Sequence, residues 1–547
     1  MKFFCISFFV IIYCILLPAQ NTDSLFNVFI NRYQTTNIQN MEPYRIENAP
    51  VKCGFPLMMQ VYANFNNYNE TQKSLIKRMA DRPVIHKSIV SPSGFFRIHY
   101  DTSGINSPDF DNDGLIDKDI SWIGLSADSV YDYQINFLGF LPPPSDENLG
   151  GDEKYDIYVI PVGYGETMID CMDCSTSSSY IKIDNTFSRT FTRGINGGRV
   201  TIAHEFQHSI QLGSYIIRWE DLFYYEISAT AMEEFIYDKI NDYYQYLPNY
   251  FNSPHNKSFL RMSSLSDGYD LAIWNIFLVE RFGSDILKRV WEIMRTERAM
   301  DAVALAIQEK GSSLKEELSE FGIWTYFTNK RALENKYFKE AKNYPLIKPS
   351  EVIDRIEGRQ LNTYCVSNTY LEYRFEKNGF SDTLAVIISN SYIESGLSNP
   401  QALTQVDLQL SENYFSNSYR ISEYVDIYAK LSNSMVFSDV YIYNNVPVQF
   451  FSRNIISSPY PQPFKNSQKI INFPAEPGGT NEAELHIYDV NMMQVYSGNE
   501  SIKNTGQTVI SWFARDNSGH KLSSGIYFYV VKSGDKISKG KFAVIND

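Results

Sequence analysis

Apolar residues recur at spacings of three and four through residues 200–212, at Val200, Ala203, Phe206 and Ile210, which predicts a helix with one buried side. A second helix is expected from residue 226 onward, with Ala229, Phe235 and Ile236 among its apolar positions. Amphipathic periods over 271–282, 285–295, 300–309 and 314–326 make residues 195–340 mostly helical, with Gly311-Ser-Ser as a break. Upstream, a helical period runs over 59–79, and alternation at 94–100 marks a strand. The runs 155–161 and 179–184 read as two further strands leading toward the first helix.

Beyond residue 340 the period changes. Short runs rich in Tyr, Val, Ile and Phe at 384–388, 406–410, 425–429, 440–443 and 448–451 alternate with Asn, Ser and Gly turns, which implies a β-sandwich. Ser458-Pro-Tyr-Pro-Gln-Pro463 reads as a stiff linker. Strands at 484–488, 507–514, 526–532 and 539–544 then form a small all-β domain. The chain of 547 residues exceeds what one core sustains. The expected division is a signal peptide at 1–19, a leader or pro-segment at 20–50, an α+β domain at 51–340, a β-sandwich at 341–458 and a C-terminal domain at 459–547.

The signal-peptide reading rests on Lys2, an apolar run over residues 3–17 and the small residue Ala19 ahead of a polar stretch. No later segment is apolar enough to predict a transmembrane span in the mature chain. The net charge of −14 argues against nucleic acid as a partner. Of six cysteines, Cys5 and Cys14 fall in the signal. Cys53, Cys171, Cys174 and Cys365 allow three pairings in an oxidising compartment. Cys171 and Cys174 form a local disulfide or a reduced pair. Cys53, in Lys52-Cys-Gly-Phe-Pro56, is either a disulfide partner, the favoured reading, or an N-terminal thiolate that caps a metal.

The predicted helix at 200–212 contains His204-Glu205-Phe-Gln-His208, an H-E-x-x-H. On a helix, residues four apart lie one above the other, so His204 and His208 can grip one metal ion while Glu205 works on water beside it. A catalytic zinc requires a third protein ligand. A third histidine in H-E-x-x-H-x-x-G-x-x-H is excluded, because Gln211 and Ser214 stand at those positions. Glu226, eighteen residues after His208, is the preferred third ligand. Glu220, Glu233 and Glu234 are its rivals, Glu233 being better placed behind the ligands. Tyr269 and His255 are the candidate donors to an oxyanion, Tyr269 the preferred one.

A second constellation is Asp109-Phe-Asp111-Asn-Asp113-Gly114-Leu-Ile-Asp117, whose alternate acids and glycine match the first part of a calcium loop. Ile120 stands where an EF-hand has its bidentate Glu, so the expected site is a shorter calcium loop using Asp109, Asp111, Asp113 and Asp117, completed by the Leu115 carbonyl or a distant carboxylate. An acidic surface turn is the alternative.

His204–His208 together with Trp219, Tyr225-Glu226-Ile-Ser-Ala229-Thr-Ala-Met-Glu233 resembles the paired-helix signature of gluzincin zinc metallopeptidases. It is most similar to secreted bacterial members with a D-x-D-x-D-G loop, H-E-x-x-H and an E-G-T-A-x-W-M-E-like helix. Ile227 replaces the usual Gly and Ala231 an aromatic, changes that bear on substrate fit. The resemblance covers residues 50–340 and implies a gluzincin-like α+β fold with zinc and a protein or peptide substrate. Separately, the last 85 or so residues resemble the type A C-terminal sorting domain of the type IX secretion system, an immunoglobulin-like all-β fold. The carriers are Leu485-His-Ile-Tyr-Asp489, Trp512, Asp516-Asn-Ser-Gly519, Ser524-Gly-Ile-Tyr-Phe528 and Lys539-Gly-Lys-Phe-Ala-Val-Ile545. This implies a Gram-negative bacterium, a secretion-machinery partner and export to the surface or medium. The expectation is a secreted or cell-surface zinc metallopeptidase, an endopeptidase, with Glu205 as general base. The alternatives are a cell-surface binding protein on a metallopeptidase scaffold and a calcium-stiffened structural protein with a relict site.

Overall fold

The computed structural model describes residues 22–34, 52–172, 174–260, 268–354, 359–377, 380–393, 403–412, 425–431, 438–443, 459, 463–465, 470–475, 482–504, 508–534 and 536–546. The signal segment, the rest of the leader, the strand expected at 448–451 and most of the proline-rich linker lie outside them. The chain is a mixed α/β protein with several sheets.

The N-terminal part begins with helices α1 (Thr22–Gln34), α2 (Phe55–Ala63) and α3 (Glu70–Met79). Part of the expected leader is therefore an ordered helix, although its polar sequence shows no clear period; Phe29 and Ile30 are its buried anchors. The helix expected over 59–79 is two helices, split at Asn64–Asn69. Asn69 caps α3 by accepting from the Gln72 amide while Gln72 returns the bond, a reciprocal cap that starts a new helix.

Strands β1 (Lys87–Val90), β2 (Phe96–Tyr100), β3 (Tyr155–Val159), β4 (Gly165–Ile169) and β5 (Ser179–Ile183) make one sheet in the order β1-β2-β3-β5-β4. The pairs β2–β3 and β3–β5 are parallel; β4 runs antiparallel to β5 and forms an edge. Helix α4 (Ile116–Tyr131) enters between β2 and β3, and helix α5 (Gly194–Ile210) follows β5. Phe206 of α5 packs edge-to-face on Phe96 and Tyr155, fixing the helix on the sheet.

Helices α6 (Leu222–Ile236), α7 (Leu247–Phe251), α8 (Ala272–Phe282), α9 (Asp285–Ile293), α10 (Ala299–Glu309) and α11 (Leu314–Tyr326) complete the helical half. Two small sheets follow, built from β6 (Glu351–Ile353), β7 (Arg359–Tyr364), β8 (Ser367–Lys377), β9 (Phe380–Asn390), β10 (Leu403–Glu412), β11 (Val425–Leu431) and β12 (Ser438–Tyr443). The apolar core continues across residue 340, because Tyr370 of β8 hydrogen-bonds Thr325 of α11 at 2.7 Å and Ile387 of β9 packs in the same cluster.

The C-terminal sheet has its own core around Phe473, Trp512, Tyr529 and Phe542. Its seven strands are β13 (Phe464–Lys465), β14 (Ile471–Pro474), β15 (Glu482–Tyr488), β16 (Gln494–Asn504), β17 (Thr508–Trp512), β18 (Gly525–Ser533) and β19 (Lys536–Ile545). Among the described residues, no helix is long and apolar enough to cross a membrane.

Candidate metal centre

Helices α5 and α6 pack together and bring three sequence-distant ligand atoms to one point. His204 Nε2 and His208 Nε2 lie 3.1 Å apart. Glu226 Oε2 is 3.3 Å from His204 Nε2, and its Oε1 is 3.3 Å from His208 Nε2. Neither carboxylate contact is aligned as a hydrogen bond, so both buried oxygens lack a protein donor. Zinc bonds of roughly 2.0–2.2 Å put tetrahedral ligand atoms about 3.3–3.6 Å apart. The observed separations of 3.1 and 3.3 Å, the latter to the two different Glu226 oxygens, lie at or just below the lower edge of that range.

The imidazole orientations have identifiable causes. His204 Nδ1 is 2.8 Å from Glu233 Oε1, and His208 Nδ1 is 2.8 Å from Gln211 Oε1. With both Nδ1 atoms donating outward, both Nε2 lone pairs face the common point, the arrangement that metal-binding histidines require. Gln211 also donates to the Tyr225 carbonyl at 3.3 Å, tying α5 to α6. Its signal in the sequence was only a position three residues beyond the second histidine.

Without a metal the buried acids hold a proton on His204, which a bound cation would have to displace. Burial works against a charged His204, but Glu226 and Glu233 raise its pKa to about 10. Burial likewise opposes a charged Glu226, yet the facing His208 and His204 hold its carboxyl down at about 2.

Glu205 lies beside the triangle, almost wholly buried. Thr167 of β4 donates to its Oε2 at 2.8 Å, while Oε1 has no hydrogen-bond partner. Burial raises its pKa, with His204 and His208 pulling the other way. A carboxylate with one oxygen clamped and one unengaged, next to a cation site, can take a proton from a water held there. The edge strand β4 comes so close to α5 that only glycine fits at its start. A Cβ on Gly165 would collide with Thr201 Cγ2 and stand 2.9 Å from Glu205 Cγ.

Tyr269 is fully buried, its ring centroid 6.0 Å from that of His204, and its hydroxyl has no hydrogen-bond partner. Burial, then Glu226 and Cys53, push its pKa well above the ordinary value, which keeps the proton it would donate. His255 is elsewhere, with Lys348 as its charged neighbour. Glu220 sits in the turn before α6, and Glu234 faces Glu340, Asp238 and Lys339.

Cys53 joins the triangle: its Sγ and one ligand atom from each of His204, His208 and Glu226 all lie within 4.8 Å of one another. The favoured disulfide role for Cys53 is not what the structure has, since neither Cys53 nor Cys365 is in a disulfide and both are buried, while Cys171 pairs with Cys174. Burial, then Glu205 and Glu226, push the Cys53 thiol well above its ordinary pKa.

The acidic loop needs a correction. Asp109, Asp111, Asp113 and Asp119 converge, and Asp117 does not. Helix α4 starts at Ile116, and two residues along a helix turn the side chain about 200°. Asp117 therefore points out toward Lys87, 3.5 Å away, and Asp119 takes the inward place. Asp119 is buried and accepts from the Phe110 amide at 2.9 Å. Lys118 Nζ rests on Asp111 at 2.6 Å and also on Asp113. The Leu115 carbonyl accepts from the Lys118 and Asp119 amides in the first turn of α4.

No family model and no curated protein matches the chain. Among solved structures it is similar to PorZ, a surface component of the type IX secretion system of Porphyromonas gingivalis, at 10% identity and a TM-score of 0.13. It is also similar to dimeric latent PorU from the same organism, at 13% identity and a TM-score of 0.15. The matches cover 34% and 37% of this chain, but only 37% of PorZ and 19% of PorU. Likenesses of this size carry no argument about fold or activity.

Proposed function

We propose that this chain is a secreted or cell-surface zinc peptidase of the gluzincin kind, hydrolysing peptide bonds with Glu205 as general base. The observation that carries the reading is the triangle of His204 Nε2, His208 Nε2 and Glu226, with edges of 3.1–3.3 Å and an unpartnered Glu205 oxygen beside it. A zinc ion bound there supplies Lewis-acid activation of water and of a carbonyl. Glu205 removes the attacking water's proton and returns it to the leaving amine. Tyr269 donates its hydroxyl proton as a hydrogen bond to the oxyanion that develops on the substrate carbonyl. The edge strand β4 offers main-chain groups to an extended peptide, holding it alongside Glu205.

An intact general base beside the ligands favours catalysis over a pure binding role, which gains nothing from it. In the same reading, the C-terminal β-sheet serves export through a secretion machinery. The cluster of Asp109, Asp111, Asp113 and Asp119 holds a structural calcium when Lys118 swings aside.

The test is metal analysis of purified chain with its N-terminal segment removed, followed by peptide cleavage with and without chelator. Stoichiometric zinc and chelator-sensitive cleavage are expected. Glu205→Gln should keep the zinc and lower turnover by ~10²–10⁴-fold. Full activity in Glu205→Gln would overturn the mechanism, and a folded protein unable to take up zinc would overturn the enzyme.

A further inference from the structure

The metal centre is closed. His204, His208, Glu205 and Glu226 are each at most 1% exposed, and Cys53 and Phe55 of the segment Lys52–Ala63 lie against them. Gly54 N donates to the Gly165 carbonyl at 3.1 Å, and Cys53 bridges Gly165 in parallel sense, so the segment occupies the β4 edge. Phe55 stacks on the His208 ring at 4.2 Å between centroids. Lys52, itself buried, holds Glu233 Oε2 at 2.6 Å and also pairs with Asp242. The segment is thereby anchored to the carboxylate that orients His204.

Two further features concern the sulfur itself. The Phe55 amide donates to Cys53 Sγ at 3.4 Å, a donor two residues on that stabilises a negatively charged sulfur. Gly54 is required for the approach, since a Cβ there would stand 2.9 Å from Glu166 Cβ and 3.1 Å from Arg32 Nη2. A catalytic zinc keeps one position open, whereas a closed set of four protein ligands makes a structural site.

We propose that Cys53 is the fourth ligand of this metal centre, so that the chain is held latent until the segment containing it leaves. The inference rests on the metal-centre reading above. As sulfur coordinates, the S–H bond breaks, the metal–sulfur bond forms and the proton passes to solvent; the metal's charge drives the ionisation of the buried thiol. On withdrawal the sulfur is reprotonated and the position is left to water. Asn66 and Asn67, in the exposed turn after α2, lie downstream of Cys53, and a cut there separates the whole cap from the sheet.

The experiment is zinc-edge X-ray absorption on the zinc-loaded full chain, with peptide cleavage measured on the same samples. The wild type should show one sulfur in the zinc shell and little cleavage. Cys53→Ser should keep zinc, lose the sulfur and cleave at least ~10-fold faster. If Cys53→Ser does not fold, cobalt-loaded wild type decides, by the presence or absence of thiolate-to-metal charge-transfer absorption. A sulfur-free shell in the wild type overturns the proposal while leaving the peptidase reading intact. A sulfur lost in Cys53→Ser with no gain of cleavage supports the ligand assignment and overturns latency through the sulfur; the peptidase reading is judged separately, by cleavage after a cut at Asn66 or Asn67.

Discussion

Glu233 accepts from His204 Nδ1 at 2.8 Å through one oxygen and from Lys52 Nζ at 2.6 Å through the other. One buried carboxylate therefore sets the ring of a candidate ligand and holds down the segment that covers it. Glu233→Ala removes the acceptor that fixes the His204 ring. Zinc affinity, measured by chelator competition, should fall roughly 10–100-fold, the usual cost of losing such a partner. An unchanged affinity would show that the ring is oriented by packing alone.

Gly165 is the place where β4 touches the general base. In a Cys53→Ala background, Gly165→Ala should displace Glu205 and lower kcat/KM by ~10²-fold, the penalty of a misplacement on the order of 1 Å. Zinc content should stay at the parent's level, because the added Cβ meets Thr201 and Glu205 and none of the three candidate ligands. Parent-like kinetics would mean that the strand yields.

Tyr269→Phe removes only the hydroxyl. In the same background, kcat should drop by ~10²–10³-fold while KM changes little, as expected for a donor that acts on developing charge. A rise in KM with kcat intact would place the hydroxyl in substrate binding instead.

The cluster around Glu234 gives the fold a pH signature independent of the metal. Burial first, then Glu340 and Asp238, raise its pKa to about 9, so the folded state keeps a proton that the unfolded chain has lost. Stability from this group is full below the ordinary carboxyl range and is lost as pH rises through the folded value. The slope is at most ~1.4 kcal/mol per pH unit. Burial also lifts neighbouring Glu280, to about 7, with the same sign. The midpoint of thermal unfolding should fall between about pH 5 and about pH 9, and Glu234→Gln should flatten that fall. An equal slope in the variant would contradict the assignment.

What the sequence made legible followed from local rules. His204 and His208 meet because a helix turn puts residues four apart on one face, and Glu226 joins them because the next helix must pack back on α5. The strands of the C-terminal sheet announced themselves by alternation, as at Tyr527, Tyr529 and Val531. What stayed hidden depended on register or on distance along the chain. Asp117 and Asp119 differ by two residues, and only the start of α4 at Ile116 decides which one turns inward. Lys52 and Cys53 reach Glu233 and His204 across more than 150 positions, a contact that no local period encodes. Helix α1 is not legible in the sequence because its polar residues mask the two apolar anchors, Phe29 and Ile30.

The central claim is that one metal ion is held between α5 and α6. Anomalous diffraction at the zinc edge, on crystals of the zinc-loaded chain, tests it most directly. The account predicts a single strong peak at roughly 2.0–2.2 Å from His204 Nε2, His208 Nε2 and a Glu226 carboxylate oxygen. A well-ordered α5–α6 pair with no peak between those three side chains would contradict it.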